Sequence, residues 1–243
     1  MPAWICASCS ELSASPGIAL SSTAATRNAS ASGVVRVGSR INRWLGHRVA
    51  KPVVFLLACL PFVWLVWAAF SDQLGANPAE ALIRSLGDWS LRFLVLVLAI
   101  TPLRVMAGWS ALARLRRMVG LFVFFYACMH LLAYAWFDME FDLPGIAADV
   151  VKRPFILVGF LGWALLLALA ATSFNRAIRA MGAARWQMLH RAVYLIAGLA
   201  VLHFFWMRSG KNDFAEVAVY AAILVALLGW RLWRRILRKP ALA

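Results

Sequence analysis

Three of the four histidines in this chain stand inside long apolar runs, where a polar side chain is expensive. The stretch 119-VGLFVFFYACMHLLAYAWF-137 holds His130, and 185-RWQMLHRAVYLIAGLAVLHFFW-206 holds His190 and His203. An imidazole in such surroundings can stitch helices together, relay protons or ligate a metal. A relay normally recruits Asp or Glu within the apolar runs, and these are nearly absent there. Zinc asks for four N, S or O ligands, and no carboxylate or thiolate cluster is evident nearby. Cys128 lies two residues from His130 and therefore points to another part of the helix surface.

Haem fits these residues better. It is large, flat and apolar, and its iron takes axial imidazoles from two helices of a bundle. Phe124, Phe125, Tyr126, Tyr134, Phe204, Phe205 and Trp206 could line such a slot, although aromatic stripes in membrane helices are more often packing or interface anchors.

The elements that must position the histidines follow from composition. Of 243 residues, 63% are hydrophobic and 14% charged, and the apolar residues gather in runs too long for strands or ordinary core helices. The reading is an all-α, six-helix transmembrane bundle, with spans near 52–70, 89–103, 118–137, 154–172, 186–207 and 214–233. The second is short and opens on Gly87, Asp88, Trp89 and Arg92, where Asp88 is a candidate cap. Residues 1–40, rich in Ser, Ala and Gly, read as a disordered extension, and 41–239 as the transmembrane domain. Cys6 and Cys9 form a lone CxxC within that extension, too little for a zinc or redox assignment.

The net charge of +15 does not point to nucleic acid, because the cations lie between apolar runs and at the chain ends. Arg36, Arg40, Arg43, Arg48 and Lys51 precede the first span; Arg104, Arg114, Arg116 and Arg117 follow the second; Arg176, Arg179 and Arg185 follow the fourth. The alternate loops hold Asp72, Glu80, Asp138, Glu140, Asp142 and Asp149. The positive-inside bias then puts both termini in the cytoplasm, and the expected location is a bacterial inner membrane crossed several times.

Orientation turns position into depth. At about 1.5 Å per residue, His190 is about 8 Å from the cytoplasmic side, His130 about 20 Å and His203 about 27 Å. His130 and His203 share the outer half of the membrane, and His190 sits alone near the inner face. Arg116 precedes His130 by fourteen residues and lies within roughly 40° of the same helix face. The inner site is open between a single-histidine haem, a site with an unusual sixth ligand and no haem, with Arg116 suited to a haem propionate. Arg185, Trp186, Gln187 and Arg191 form a collar around His190, for propionates, for the electron donor or for simple interfacial anchoring. His47, before the first span, reads as an exposed loop histidine. The thirteen-residue step from His190 to His203 leaves them roughly 140° apart on an ideal helix, so differing rotamers or a bend near Gly198 are needed to aim both inward.

Histidine pairs at this spacing resemble the ferric-reductase-like transmembrane domain. More closely, residues 41–236 resemble the MsrQ (YedZ) family, haem-binding membrane subunits of the periplasmic methionine sulfoxide reductase system. The resemblance rests on 75-GANPAEALIRSLGDWSLRFL-94, 101-TPLR-104, 115-LRRMVGLFVFFYACMHLLAY-134, 152-KRPFILVG-159 and the run holding His190 and His203. It implies electron transfer from the quinone pool, or from a cytosolic flavin reductase, through b-type haem to a periplasmic molybdopterin partner, MsrP. It places His130, His190 and His203 at haem-ligand positions and Arg116 where related oxidases have histidine, leaving one haem or two. It also brings FMN, for which no motif here supplies a place. The rival reading is a haem-dependent ferric or oxygen reductase. No GxGxxG fingerprint follows a strand, so electrons must come from elsewhere and be handed on. The loop 138-DMEFDLPGIAADV-150 is a candidate docking segment for the receiving partner.

Overall fold

A computed structural model describes residues 41–209 and 214–237, so the readings for residues 1–40 lie outside the described part. Among the described residues there are helices and no strand. They run as α1 (Ala50–Phe70), α2 (Pro78–Met106), α3 (Arg116–Ala133), α4 (Leu143–Lys152), α5 (Pro154–Ala171), α6 (Asn175–Met181), α7 (Ala183–His190), α8 (Ala192–Ser209) and α9 (Ala215–Leu237). Six stretches are long and apolar enough to cross a membrane: α1, α2, α3 with its continuation to Asp138, α5, α7 with α8, and α9. The chain is a multi-pass membrane protein.

The second span is longer than the charges suggested. Asn77 caps α2, its side chain accepting from the Glu80 amide at 3.2 Å, and Pro78 occupies the first turn, where a missing N–H costs nothing. Glu80 also pairs with Arg84 one turn later. Asp88 is therefore not the cap: it lies ten residues inside the helix, and Arg92 beside it donates to the Tyr220 hydroxyl at 3.1 Å and covers the Trp89 ring. The helix breaks at Arg191, between α7 and α8, while Gly198 sits inside α8.

Two antiparallel pairs, α2 with α3 and α5 with α8, make the most extensive contacts, and α3 against α5 joins them. The core where α1, α2 and α3 meet contains Leu65, Leu94, Leu98, Phe122, Val123 and Tyr126. Phe55, Leu56, Leu60, Val63 and Trp64 of α1 stay exposed, as lipid-facing side chains do. At the end of the bundle rich in arginine, Asn42 donates to the Gly108 carbonyl at 2.8 Å and accepts from the Ala111 amide. Arg114 reaches the Gly46 carbonyl at 2.8 Å. Residues 41–46 are thereby sewn to the α2–α3 connection.

At the opposite end α3 widens into a π-helical turn, Tyr134–Asp138. Such turns re-aim side chains and are common at functional sites. Here Tyr134 donates to Asp149 at 2.7 Å, tying α3 to α4.

Candidate cofactor site

His130 and His203 come together across the two helix pairs. Their ring centres are 6.2 Å apart and their planes nearly perpendicular, at 82°. Nδ1 of His130 lies 2.8 Å from the Ile83 carbonyl of α2, and Nδ1 of His203 lies 2.7 Å from the Phe155 carbonyl of α5. A carbonyl oxygen only accepts, so each Nδ1 carries the proton and donates it. Nε2 of each ring is left with its lone pair, the state in which imidazole ligates a metal, and the carbonyl holds the ring's orientation.

The separation suits one shared metal. Two imidazoles on opposite sides of one ion, each with a nitrogen about 2 Å from it, would have ring centres about 6 Å apart. Protein side chains alone do not complete such a site: no group of three or more His, Cys, Asp or Glu converges among the described residues. A metal carried in its own flat macrocycle needs only the two axial nitrogens, and the surroundings fit that demand.

Both rings line a cavity of about 340 Å³, within the range of about 300–1,000 Å³ usual for small-molecule and cofactor pockets. Its walls are largely apolar, with Leu94, Val123, Leu166, Ile196 and Phe160 among them. Its charged residues are Arg84, Arg153, Arg208, Asp88 and Asp138. Each of these arginines has a carboxylate beside it: Glu80 for Arg84, Asp149 for Arg153 at 2.8 Å, and Glu216 for Arg208.

Of the aromatic residues expected around the slot, Tyr134 and Phe204 line it. Phe125 and Tyr126 turn toward α1, where Phe62 meets Phe125 edge-on, and Phe205 stacks on Phe214. The α5 side of the cavity instead contributes Phe155, Phe160 and Trp163, which the sequence reading passed over. Trp163 donates to the Cys128 sulfur at 3.3 Å, so Cys128 faces α5 as part of helix packing. The signal was available in the (i, i+4) and (i, i+3) spacing of these residues around Gly159.

His190 belongs to the arginine-rich end. Its ring stacks on Trp186 with centres 3.9 Å apart, and Nδ1 donates to the Trp186 carbonyl at 3.1 Å. Ser173 lies 3.4 Å from Nε2, and Trp186 donates its indole N–H to the Thr172 carbonyl at 2.9 Å. Arg116 is within electrostatic reach of His190, as are Arg104, Tyr194 and Arg231 of Arg116 itself. Arg231 donates to the Tyr194 hydroxyl at 2.9 Å and to the Leu98 carbonyl, closing this end of the bundle. Arg185, Gln187 and Arg191 are exposed, and so does Arg116 present its side chain at the surface. The structure thus gathers His130 with His203, and separately His190 with Trp186 and Arg116.

Residues 86–201, which include His130 and His190, match the family of ferric-reductase-like transmembrane components. Most of the chain also aligns with bacterial relatives named as the haem-binding subunit MsrQ of protein-methionine-sulfoxide reductase. The relative from Polaromonas naphthalenivorans is 66% identical over 191 residues, covering 79% of this chain and 87% of its own length. Those from Herminiimonas arsenicoxydans and Caulobacter vibrioides are 49% and 46% identical, covering 79% and 74% of this chain and 90% and 85% of their own lengths. The chain belongs to the MsrQ family.

Proposed function

We propose that this protein is the membrane electron-transfer subunit of a methionine sulfoxide reductase system, with a b-type haem held between His130 and His203. The observation that carries the reading is the pair of imidazoles 6.2 Å apart, each with Nδ1 committed to a backbone carbonyl. The bound haem would supply a one-electron carrier in the apolar slot. The protein's own part is to present two neutral Nε2 atoms, exclude water with the Leu, Val, Ile and Phe wall, and place charged groups at the edge of the cavity.

Direction follows from charge. Arginine-rich loops face the cytoplasm and the acidic end faces the periplasm, so the His130–His203 site lies on the periplasmic side of an inner-membrane bundle. Electrons enter from quinol or a cytosolic flavin reductase at the arginine-rich end. There His190, Trp186 and Arg116 form either a second haem site or the donor's landing surface, with exposed Arg185, Gln187 and Arg191 around it. They leave toward a periplasmic molybdopterin subunit, MsrP, past α4. FMN belongs to this reading only through the family. The match to ferric-reductase-like components supports a second reading, direct delivery to a diffusible ferric or oxygen acceptor at the same slot.

The test is spectroscopic. Protein purified in detergent after haem-supplemented expression is expected to show a low-spin b-type spectrum. His130→Ala and His203→Ala are each expected to abolish the signal of this site. A wild-type preparation without haem would overturn the reading, and robust metal reduction without a periplasmic partner would favour the second one.

A further inference from the structure

We propose that Gly87 and Gly159 are positioning residues, each opening a notch in its helix that receives the back of one imidazole. The proposal rests on the haem reading of His130 and His203 for its consequences, but the notches themselves are a matter of packing. A Cβ built at Gly159 would fall 2.8 Å from both Cε1 and Nδ1 of His203, closer than van der Waals contact permits. A Cβ at Gly87 would fall 3.2 Å from Nδ1 and 3.3 Å from Cε1 of His130. The other glycines within the membrane-spanning helices have no such neighbour: Gly120, Gly198 and Gly229 face open space, and Gly162 is in ordinary contact with Leu199.

The two notches are built alike. In each, the carbonyl that receives the histidine belongs to the residue four positions before the glycine: Ile83 before Gly87 and Phe155 before Gly159. Positions i and i+4 lie one above the other on a helix, and the carbonyl of residue i points toward residue i+4. A ring can reach that already bonded carbonyl from the side only where residue i+4 has no side chain in the way. Glycine in a helix interior is otherwise unfavourable compared with alanine. The pattern occurs once in each helix pair, on α2 for the histidine of α3 and on α5 for the histidine of α8. Ligand orientation and tautomer are therefore held by the partner helix of each pair.

Gly159 is the tighter notch. The His203 ring cannot retreat without giving up its 2.7 Å bond to Phe155, so Gly159→Ala should turn the ring and free Nδ1. Loss of the outer partner of a metal-ligating histidine commonly costs about 10–100-fold in affinity, and that is the expected loss of haem affinity. Gly87→Ala, with a few tenths of an ångström to find, should retain haem and change the low-spin electron paramagnetic resonance signal and the midpoint potential. Gly198→Ala is the control, on the same helix as His203 but facing open space.

Haem per chain, low-spin signal and thermal unfolding are compared for the three variants. Gly159→Ala that matches Gly198→Ala in haem content and spectrum would overturn the proposal. A second arm needs no haem: ¹⁵N-histidine spectra of protein produced without it should show the Nδ1–H tautomer of His203 in wild type and its loss in Gly159→Ala. An unchanged tautomer would also overturn the notch. If wild type binds no haem yet the tautomer is lost, the packing claim stands and the electron-transfer reading falls. Should Gly159→Ala fail to fold, Gly87→Ala decides the matter: shifted His130 ¹⁵N resonances and a changed low-spin signal are expected, and both unchanged from wild type would overturn the proposal.

Discussion

The Tyr126 hydroxyl sits inside the backbone ladder of α1 at Ala58. It donates to the Ala58 carbonyl at 2.8 Å and accepts from the Phe62 amide at 3.0 Å, bridging two backbone groups one turn apart. Pro61 lies within the same turn and has no N–H to offer. A fully buried tyrosine thus satisfies its hydroxyl on the α1 backbone beside the proline, where no water is available to do so. Tyr126→Phe keeps the ring packing and removes the oxygen. We expect a loss of about 1–3 kcal/mol, seen as a lower thermal midpoint in detergent, with the His130–His203 haem spectrum unchanged.

His190 is separate from the ring pair. His190→Ala is expected to leave the spectral signal lost in His203→Ala in place, and Trp186→Phe likewise. Redox titration of each variant checks this: a component that disappears with His190 belongs to the arginine-rich end. Loss of the whole signal in His190→Ala would mean that the two sites are one.

Asn77 starts α2 well before its apolar stretch and so sets where Ile83 and Gly87 stand against His130. Asn77→Ala removes the cap at a cost of about 1 kcal/mol, measured by unfolding of the purified protein. Asn77→Ser, which keeps a capping oxygen, is expected to recover most of it.

Sidedness is checked by labelling single cysteines in a background without Cys6, Cys9, Cys59 and Cys128. Asp142→Cys should react with an impermeant thiol reagent applied from the periplasmic side. Ser110→Cys, in the arginine-rich connection, should react only after the membrane is opened. The reverse pattern would invert the proposed direction of electron flow.

Much of the architecture was legible because membrane insertion writes itself into composition. A span must be long and apolar, and cations collect on one side, so six spans could be counted without tertiary information. The pairing of His130 with His203 was also readable, since orientation and rise per residue put both at similar depth. Legibility ended where the determinants were charged or local. Asp88 and Arg92 looked like a helix start because charges are costly in a span, yet α2 begins at Pro78 and carries them inside, Arg92 held by Tyr220 and Trp89.

What the sequence determined by itself is the number of apolar spans and which imidazoles share a depth. Tertiary structure alone decided that Tyr126 bonds to the α1 backbone, that the helix is interrupted at Arg191, and that the Ile83 and Phe155 carbonyls hold the rings. The reason is physical: depth and hydrophobicity are properties of one segment, whereas a hydrogen bond or a notch needs the facing surface of another helix, tens of residues away.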